Sequence, residues 1–266
     1  MTVRTACDYQ AFFPGKIAAL DTHFNNLLRE LVWAPATFVH DWPGGDDDQA
    51  YSDEPKQVAK HLLQLVENSQ QEILIESAYF VLSESTMNLI DQLRTRGVKM
   101  RALTNSMTSN DVLPNHASYA MVRKDMLEHG IELFELRPDA ESCLEILGGK
   151  EYCDEDSFLS LHAKSAVFDR KTVYIGSLNF NLRSVYLNTE VGMFIDSPLL
   201  AEKLTKQIEL NMKRENSWQS MIEDHKVLWV TDRNGIEERS QHEPQASWME
   251  RVKEGFLMVL PGAQYY

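Results

Sequence analysis

The chain has 266 residues, 43% of them hydrophobic, enough to bury a core in one or two domains. Its formal net charge of −14 opposes approach both to nucleic acid and to an anionic bilayer, and weighs more against a nucleic-acid binder, whose affinity rests on neutralising many phosphates. No apolar run is long enough for a spanning helix, and three cysteines (Cys7, Cys143 and Cys153), with no Cys-x-x-Cys pair and no apparent secretory signal, predict reduced thiols, a cytoplasmic setting and no cysteine metal site.

In chain order, Ile17, Leu20, Phe24, Leu27 and Leu31 fall at helical spacing. HDWPGGDDDQAYSDEP at 40–55 mixes turn formers with acids and reads as an exposed linker; Asp46-Asp47-Asp48 fits a solvated run better than a metal site. Strands expected at 73–80, 98–104 and 131–136 alternate with helices at 57–69, 84–96 and 117–129, which is α/β organisation. The segment 141–158 reads as a long loop that either shapes a pocket or connects elements. A strand near 191–196 and a helix near 199–213 follow, and beyond Asn211 the pattern loses regularity. KVLWVTDRNG at 226–235 reads as a strand and a turn. At the end, Trp248, Val252, Phe256 and Val259 share one helical face. A bilayer interface and core packing both suit such a face, and core packing is favoured because Glu250 and Glu254 offset Arg251 and Lys253.

LHAKSAVFDRKTVYIGSLN, from Leu161 to Asn179, carries the chemistry. It sets His162, Lys164, Asp169, Gly176, Ser177 and Asn179 in an H-x-K-x4-D-x6-G-S-x-N pattern. The first eight residues alternate as a strand, which places His162 and Lys164 on one face. Asp169-Arg170-Lys171 reads as a turn, and TVYIGS as the antiparallel partner that brings Ser177 and Asn179 back to the same end. A phosphodiester needs a nucleophile, cations and donors for its oxygens, and an acid for the leaving alcohol. His162 suits the first role, with Glu190 as the carboxylate that orients it. Lys164 and Asn179 suit the phosphoryl oxygens, and Ser177 ties the network together. Any one of these residues alone fits a solvated strand or an ordinary turn; six at fixed spacing do not.

The pattern resembles the phospholipase D superfamily, and the wider chain is most similar to the C-terminal half of bacterial cardiolipin synthase-like proteins. ILIESAYFVLSE at 73–84 looks like the opening strand and loop of that half, with Ala78 where a proline is usual. LTNSMTSNDVLPNHASY at 103–119 and ELFELRP at 132–138 also resemble it, which implies substrate contacts by Tyr79, Asn105, His116 and Tyr119; for His116, a packing role is the equal alternative. The N-terminal segment looks like the end of a preceding half. The resemblance implies an α/β fold, a phospholipase D-like αβα sandwich built from one half-repeat with helical flanks and a C-terminal extension. It divides into a remnant at 1–41, a linker at 42–56, a catalytic half at 57–213 and an extension of that domain at 214–266. It also implies a covalent phosphohistidine, a second histidine from a second motif, and no metal or other cofactor.

The expected activity is a phosphatidyltransferase or phosphodiesterase acting on phospholipid, peripheral at the cytoplasmic face of a bacterial membrane. Because the motif occurs once, the second histidine must come from a homodimer partner or from a separate N-terminal half. Two alternatives stand beside this: a homodimeric single-motif nuclease or general phosphodiesterase, and a catalytically incomplete half or interaction module with Phe12, Phe13 and Phe24 as an apolar contact surface.

Overall fold

The structure, a computed structural model, describes residues 31–42, 54–141 and 159–259, together with Leu28 and Cys143. The positions Ile17 to Leu27, the Phe12, Phe13 and Phe24 surface, the Asp46-Asp47-Asp48 run and the loop at 144–158 lie outside the described residues. The chain forms two compact units, Met1–Ala34 and Pro35–Tyr266. The account below concerns the second.

A mixed sheet of ten strands organises this unit. Its strands are β1 (Ala36–His40), β2 (Glu72–Ser77), β3 (Lys99–Asn105), β4 (Glu132–Leu136), β5 (Lys164–Phe168), β6 (Thr172–Gly176), β7 (Val191–Asp196), β8 (Ser217–Glu223), β9 (Lys226–Arg233) and β10 (Ile236–Ser240). They lie in the order β1-β7-β6-β5-β2-β3-β4-β8-β9-β10. The β2-β3 and β3-β4 pairs are parallel, and every other named pair is antiparallel. Ala36–His40, grouped by sequence with the N-terminal segment, is an edge strand of this sheet, bonded to β7.

Both faces of the central strands are covered, which explains why they read as nearly continuous apolar runs. On β2, Ile73 and Ile75 pack into one core and Leu74 into the other. The first core lies beneath α1 (Gln57–Asn68), α2 (Glu84–Thr95) and α3 (Leu113–Glu128). Along α1, Val58, Ala59, Leu62 and Val66 repeat at helical spacing and form its buried stripe. The second core lies beneath α5 (Pro198–Met212), through Ala201, Ile208 and Met212. A short helix α4 (Leu182–Tyr186) joins β6 to β7, and α6 (Trp248–Met258) packs on α3. This is the expected αβα sandwich.

Four readings change. Helix α3 starts at Leu113 rather than near 117, because Pro114 sits in its first turn, where its missing N–H is no loss. Strands β8 and β10 occupy the stretch where the sequence pattern is irregular. Cys143 is disulfide-bonded, which overturns the expectation of reduced thiols at this residue: an odd count guarantees only one unpaired cysteine. Finally, α6 does not bury its apolar stripe. Trp248, Val252, Phe256 and Val259 are exposed, and Glu254 is the buried residue.

Candidate active site

The motif is a hairpin whose turn and open end do different work. At the turn, Asp169 and Arg170 both have φ near 51°, the left-handed pair that a two-residue type I′ connection requires, and Lys171 N–H donates to Phe168 O at 3.0 Å. The Asp169 carboxylate accepts the backbone N–H groups of Gln70, Gln71 and Glu72 at 2.7–3.1 Å. Asp169 therefore ties the hairpin to the start of β2. It lies the full length of β5 from Lys164, roughly 16 Å along an extended strand, so it does not join the other motif residues.

At the open end, Lys164 pairs with Ser77 as β2 finishes, and Gly176 pairs with Gly192 as β7 begins. A side chain at Gly176 would collide with the Val191 carbonyl and the Tyr174 hydroxyl, so only glycine fits the approach to β7. The loops after β2 and β6 are bonded together: Val81 N–H donates to Phe180 O at 2.7 Å, and Phe180 N–H to Ser77 Oγ at 3.2 Å. This closure presents Ser177 and Asn179 beside Lys164.

His162 lies just ahead of β5 and is exposed, and no hydrogen bond occupies its ring among the described residues. Its backbone carbonyl accepts Lys164 Nζ at 3.0 Å. The Lys164 ammonium also lies 5.8 Å from the centre of the Tyr79 ring. Burial lowers the Lys164 pKa, against the opposing pull of Glu190 and Asp111. Ser177 Oγ donates to Glu190 Oε2 in a short contact and accepts Val191 N–H at 2.9 Å. Glu190 is buried, accepts Asn188 Nδ2 at 3.1 Å, and makes no hydrogen bond to His162 among the described residues. The orienting role expected of Glu190 thus falls first on Ser177. Asn179 is buried, and its Oδ1 has no partner among the described residues.

The residues expected to touch substrate separate into three kinds. Tyr79 is at the motif, donates to Asp111 Oδ1 at 2.9 Å, and stays neutral because burial and Asp111 push its pKa up to about 12. Asn105 is fully buried and holds the chain ahead of His162, accepting Leu161 N–H at 2.8 Å and donating to Leu161 O at 2.9 Å. His116 and Tyr119 are not brought to the motif. They lie buried between α3, α6 and the sheet, where His116 Nδ1 meets Glu254 Oε1 at 2.6 Å and Tyr119 Oη donates to Glu135 Oε1 at 2.9 Å.

His116, Glu243 and Glu254 have donor atoms within 4.8 Å of one another and are the described residues whose donor set could hold a metal ion. Arg123 already pairs with Glu243 and Glu135, so the cluster carries its own cation.

Sequence reading missed two acids at the motif. Asp41 is buried and accepts Val58 N–H at 3.1 Å and Glu190 N–H at 3.0 Å, clamping the backbone of Glu190 to the first turn of α1. Its place beside Pro43-Gly44-Gly45 marked it as linker. Asp111 is the partner of Tyr79, and nothing local to it signals that contact. A cavity of 530 Å³ between α1 and α2 is lined by Leu62, Val66, Val81 and Leu89, and by Leu178 and Phe180 on either side of Asn179.

The class of protein follows from this geometry: the motif's histidine, lysine, serine and asparagine open on to one end of an αβα sandwich, at the carboxyl ends of its parallel strands, as in the phospholipase D superfamily. Residues 62–212 match the family described as cardiolipin synthase, PLD-like domain, and the chain belongs to that family. It is 34% identical over 234 residues to cardiolipin synthase C of Escherichia coli, covering 87% of this chain and 48% of the relative. With the major cardiolipin synthase ClsA of Bacillus subtilis it shares 25% identity over 183 residues, 68% of this chain and 33% of that one. The chain thus spans less than half the length of these relatives. A solved phospholipase D family member, Nuc from Salmonella typhimurium, superposes with a TM-score of 0.49 at 14% identity, covering 71% of this chain and all of that one.

Proposed function

We propose that this chain is the motif-bearing half of a cardiolipin synthase-like phosphatidyltransferase or phosphodiesterase. The reading rests above all on the exposed His162 ring with no hydrogen bond of its own among the described residues, set beside Lys164 at the open end of the hairpin. His162 attacks phosphorus, forming a P–N bond as the P–O bond to the leaving alcohol breaks. Lys164 and Asn179 hold the non-bridging oxygens. Ser177, fixed by Glu190, keeps the loop and its donors in place. A second histidine, from another copy or a separate chain, gives its proton to the leaving alkoxide and then takes one from the acceptor alcohol or water, which releases His162. No metal enters this scheme.

Phospholipid is favoured over nucleic acid as substrate by the net charge of −14. Placement is peripheral, at a membrane surface. Among the described residues no helix is long and apolar enough to cross one. The Cys143 disulfide removes the cysteine support for a cytoplasmic setting.

The test is head-group release from phosphatidylglycerol vesicles over a range of protein concentrations. A rate per chain that rises with concentration is expected if two copies complete the site, and the same rise on adding a separate N-terminal half is expected if that half supplies the histidine. No turnover in either case would overturn the reading. Inhibition by excess duplex DNA, falling steeply with salt, would point to the nuclease alternative.

A further inference from the structure

We infer that Asp41 is a positioning residue of the reactive site, fixing Glu190 and through it the Ser177–Asn179 loop; the inference rests on the phosphodiester-transfer reading and deepens it. Asp41 follows the edge strand β1 and lies ahead of the 62–212 span that matches the family, so the site draws a part from chain that the sequence groups with the N-terminal segment.

Asp41 holds the main chain of Glu190 on both sides. Its N–H donates to Glu190 O at 2.9 Å, and its Oδ2 accepts Glu190 N–H at 3.0 Å. Its Oδ1 accepts Val58 N–H at 3.1 Å in the first turn of α1, whose own N-cap residue Lys56 supplies no side-chain bond. Each carboxylate oxygen thus answers one N–H, and the helix N-terminus favours the negative charge. At 4% exposure, solvent does not replace a bond that is lost here.

What Asp41 fixes is passed on to the reacting groups. Val191, next after Glu190, donates its N–H to Ser177 Oγ at 2.9 Å and accepts Ser177 N–H at 2.9 Å, while the Glu190 carboxylate accepts Ser177 Oγ and Asn188 Nδ2. Ser177 leads through Leu178 to Asn179, the donor assigned to the phosphoryl oxygens. Glu190 also acts by charge on Lys164, opposing the fall that burial causes in its pKa.

Asp169 supplies the control. Its carboxylate likewise accepts backbone N–H groups, those of Gln70, Gln71 and Glu72, but at the far end of the hairpin. Were such carboxylates needed only for folding, the two would behave alike.

The test compares Asp41→Asn with Asp169→Asn in turnover of phosphatidylglycerol vesicles and in thermal midpoint. The amide keeps one acceptor oxygen and turns a donor on the other N–H, so Asp41→Asn should lower kcat at least ~10-fold with KM within ~2-fold, whereas Asp169→Asn stays within ~3-fold although both lower the midpoint. Adding Ser177→Ala to Asp41→Asn should cost less than the product of the two single losses, because both act on one loop. Hydrogen exchange at the Ser177 and Val191 amides should quicken in Asp41→Asn and not in Asp169→Asn. That readout needs no turnover, so it decides the inference even where the unaltered chain is inactive and the functional reading fails. Asp41→Glu, with the charge and both oxygens on a longer stem, replaces the amide variant should that not fold, and the same loss of kcat is expected. A kcat for the Asp41 variant within ~3-fold of the unaltered chain would overturn the inference, as would losses that follow the thermal midpoint alike in the Asp41 and Asp169 variants, or unchanged exchange at Ser177 and Val191.

Discussion

Two histidines in this molecule are surrounded by similar residue types and come to opposite ends. His162 stands exposed beside Lys164, Tyr79 and the Ser177–Glu190 pair. His116 is wholly buried beside Arg123, Tyr119 and three glutamates. Around His116 the groups are buried and packed on one another: Glu135 accepts Tyr119 Oη at 2.9 Å, Ser220 Oγ at 2.7 Å and Trp229 Nε1 at 3.0 Å, and the Arg123 guanidinium lies 4.4 Å from the Trp229 ring centre, while His116 Nε2, Arg123 Nε and Glu243 Oε2 have no hydrogen-bond partner among the described residues. Burial, with Glu135 beside it, drives the Tyr119 pKa well up, so the phenol remains a donor. Around His162 the ring is left open toward solvent. Residue type alone does not make a reactive site; a reactive group must be held in place and still be reachable, and the His116 cluster, unlike His162, is shut away from solvent.

The contrast is sharpest in the expected effects of substitution. His162→Ala should lower turnover by on the order of 10³-fold or more while leaving the thermal midpoint unchanged, because an exposed ring is removed from the nucleophile's place. Retained turnover would break the contrast from the reactive side. Arg123→Met should do the reverse, lowering stability by roughly 3–5 kcal/mol in urea unfolding, because Glu135 and Glu243 lose their buried cation.

Asp169→Asn tests whether every motif position belongs to the reactive region. Its carboxylate serves three backbone N–H groups at the far end of the hairpin, so stability should fall by about 1–2 kcal/mol while turnover per folded chain stays within roughly 3-fold. A loss approaching that of His162→Ala would place Asp169 in the chemistry.

The smallest effect concerns Glu76, buried behind the site and bonded to Asn211 Nδ2 at 3.1 Å and Ser165 Oγ at 3.2 Å. Burial raises its pKa above the ordinary 4.5, and these two bonds only partly oppose that. The folded state therefore holds its proton more tightly than the unfolded chain does, so its contribution to stability is full below pH 4.5 and is lost as pH rises through the raised value. Glu76→Gln should remove that slope, measured as thermal midpoints across this range, and an unchanged slope would assign the titration elsewhere.

Much of the fold was legible because its signals are local. The stripe of α1, the apolar runs of β2 and β3 and the alternation of the motif hairpin all rest on residues a few positions apart. The meander was less so. Asn234 and Gly235 both take positive φ and announce the β9–β10 turn, but β10 reads IEERS, a short edge strand with little apolar pattern, and β8 depends on pairing with β4, far back in the chain. Periodicity revealed the stripe on α6 yet not that it faces outward, since the contact that turns Glu254 inward is made with His116, 138 residues earlier in the chain. The same holds for the site. Spacing gathered His162, Lys164, Ser177 and Asn179, but it gave Glu190 to His162 where the structure bonds it to Ser177, and it swept in Asp169, whose role is set by backbone groups at 70–72. Asp41 and Asp111 went unread because each acts on a residue distant in sequence.

The central claim is that His162 carries the phosphoryl group. Acid quenching is unsuitable for a phosphoramidate, so the direct measurement is a rapid alkaline or denaturant quench during turnover of phosphatidylglycerol, followed by mass spectrometry of the peptide bearing His162. The expected result is a phosphatidyl adduct on His162 that appears during turnover, disappears when substrate is exhausted, and is absent from His162→Ala. Turnover accompanied by an adduct on another residue, or on none with the quench shown to preserve a phosphohistidine standard, would contradict it.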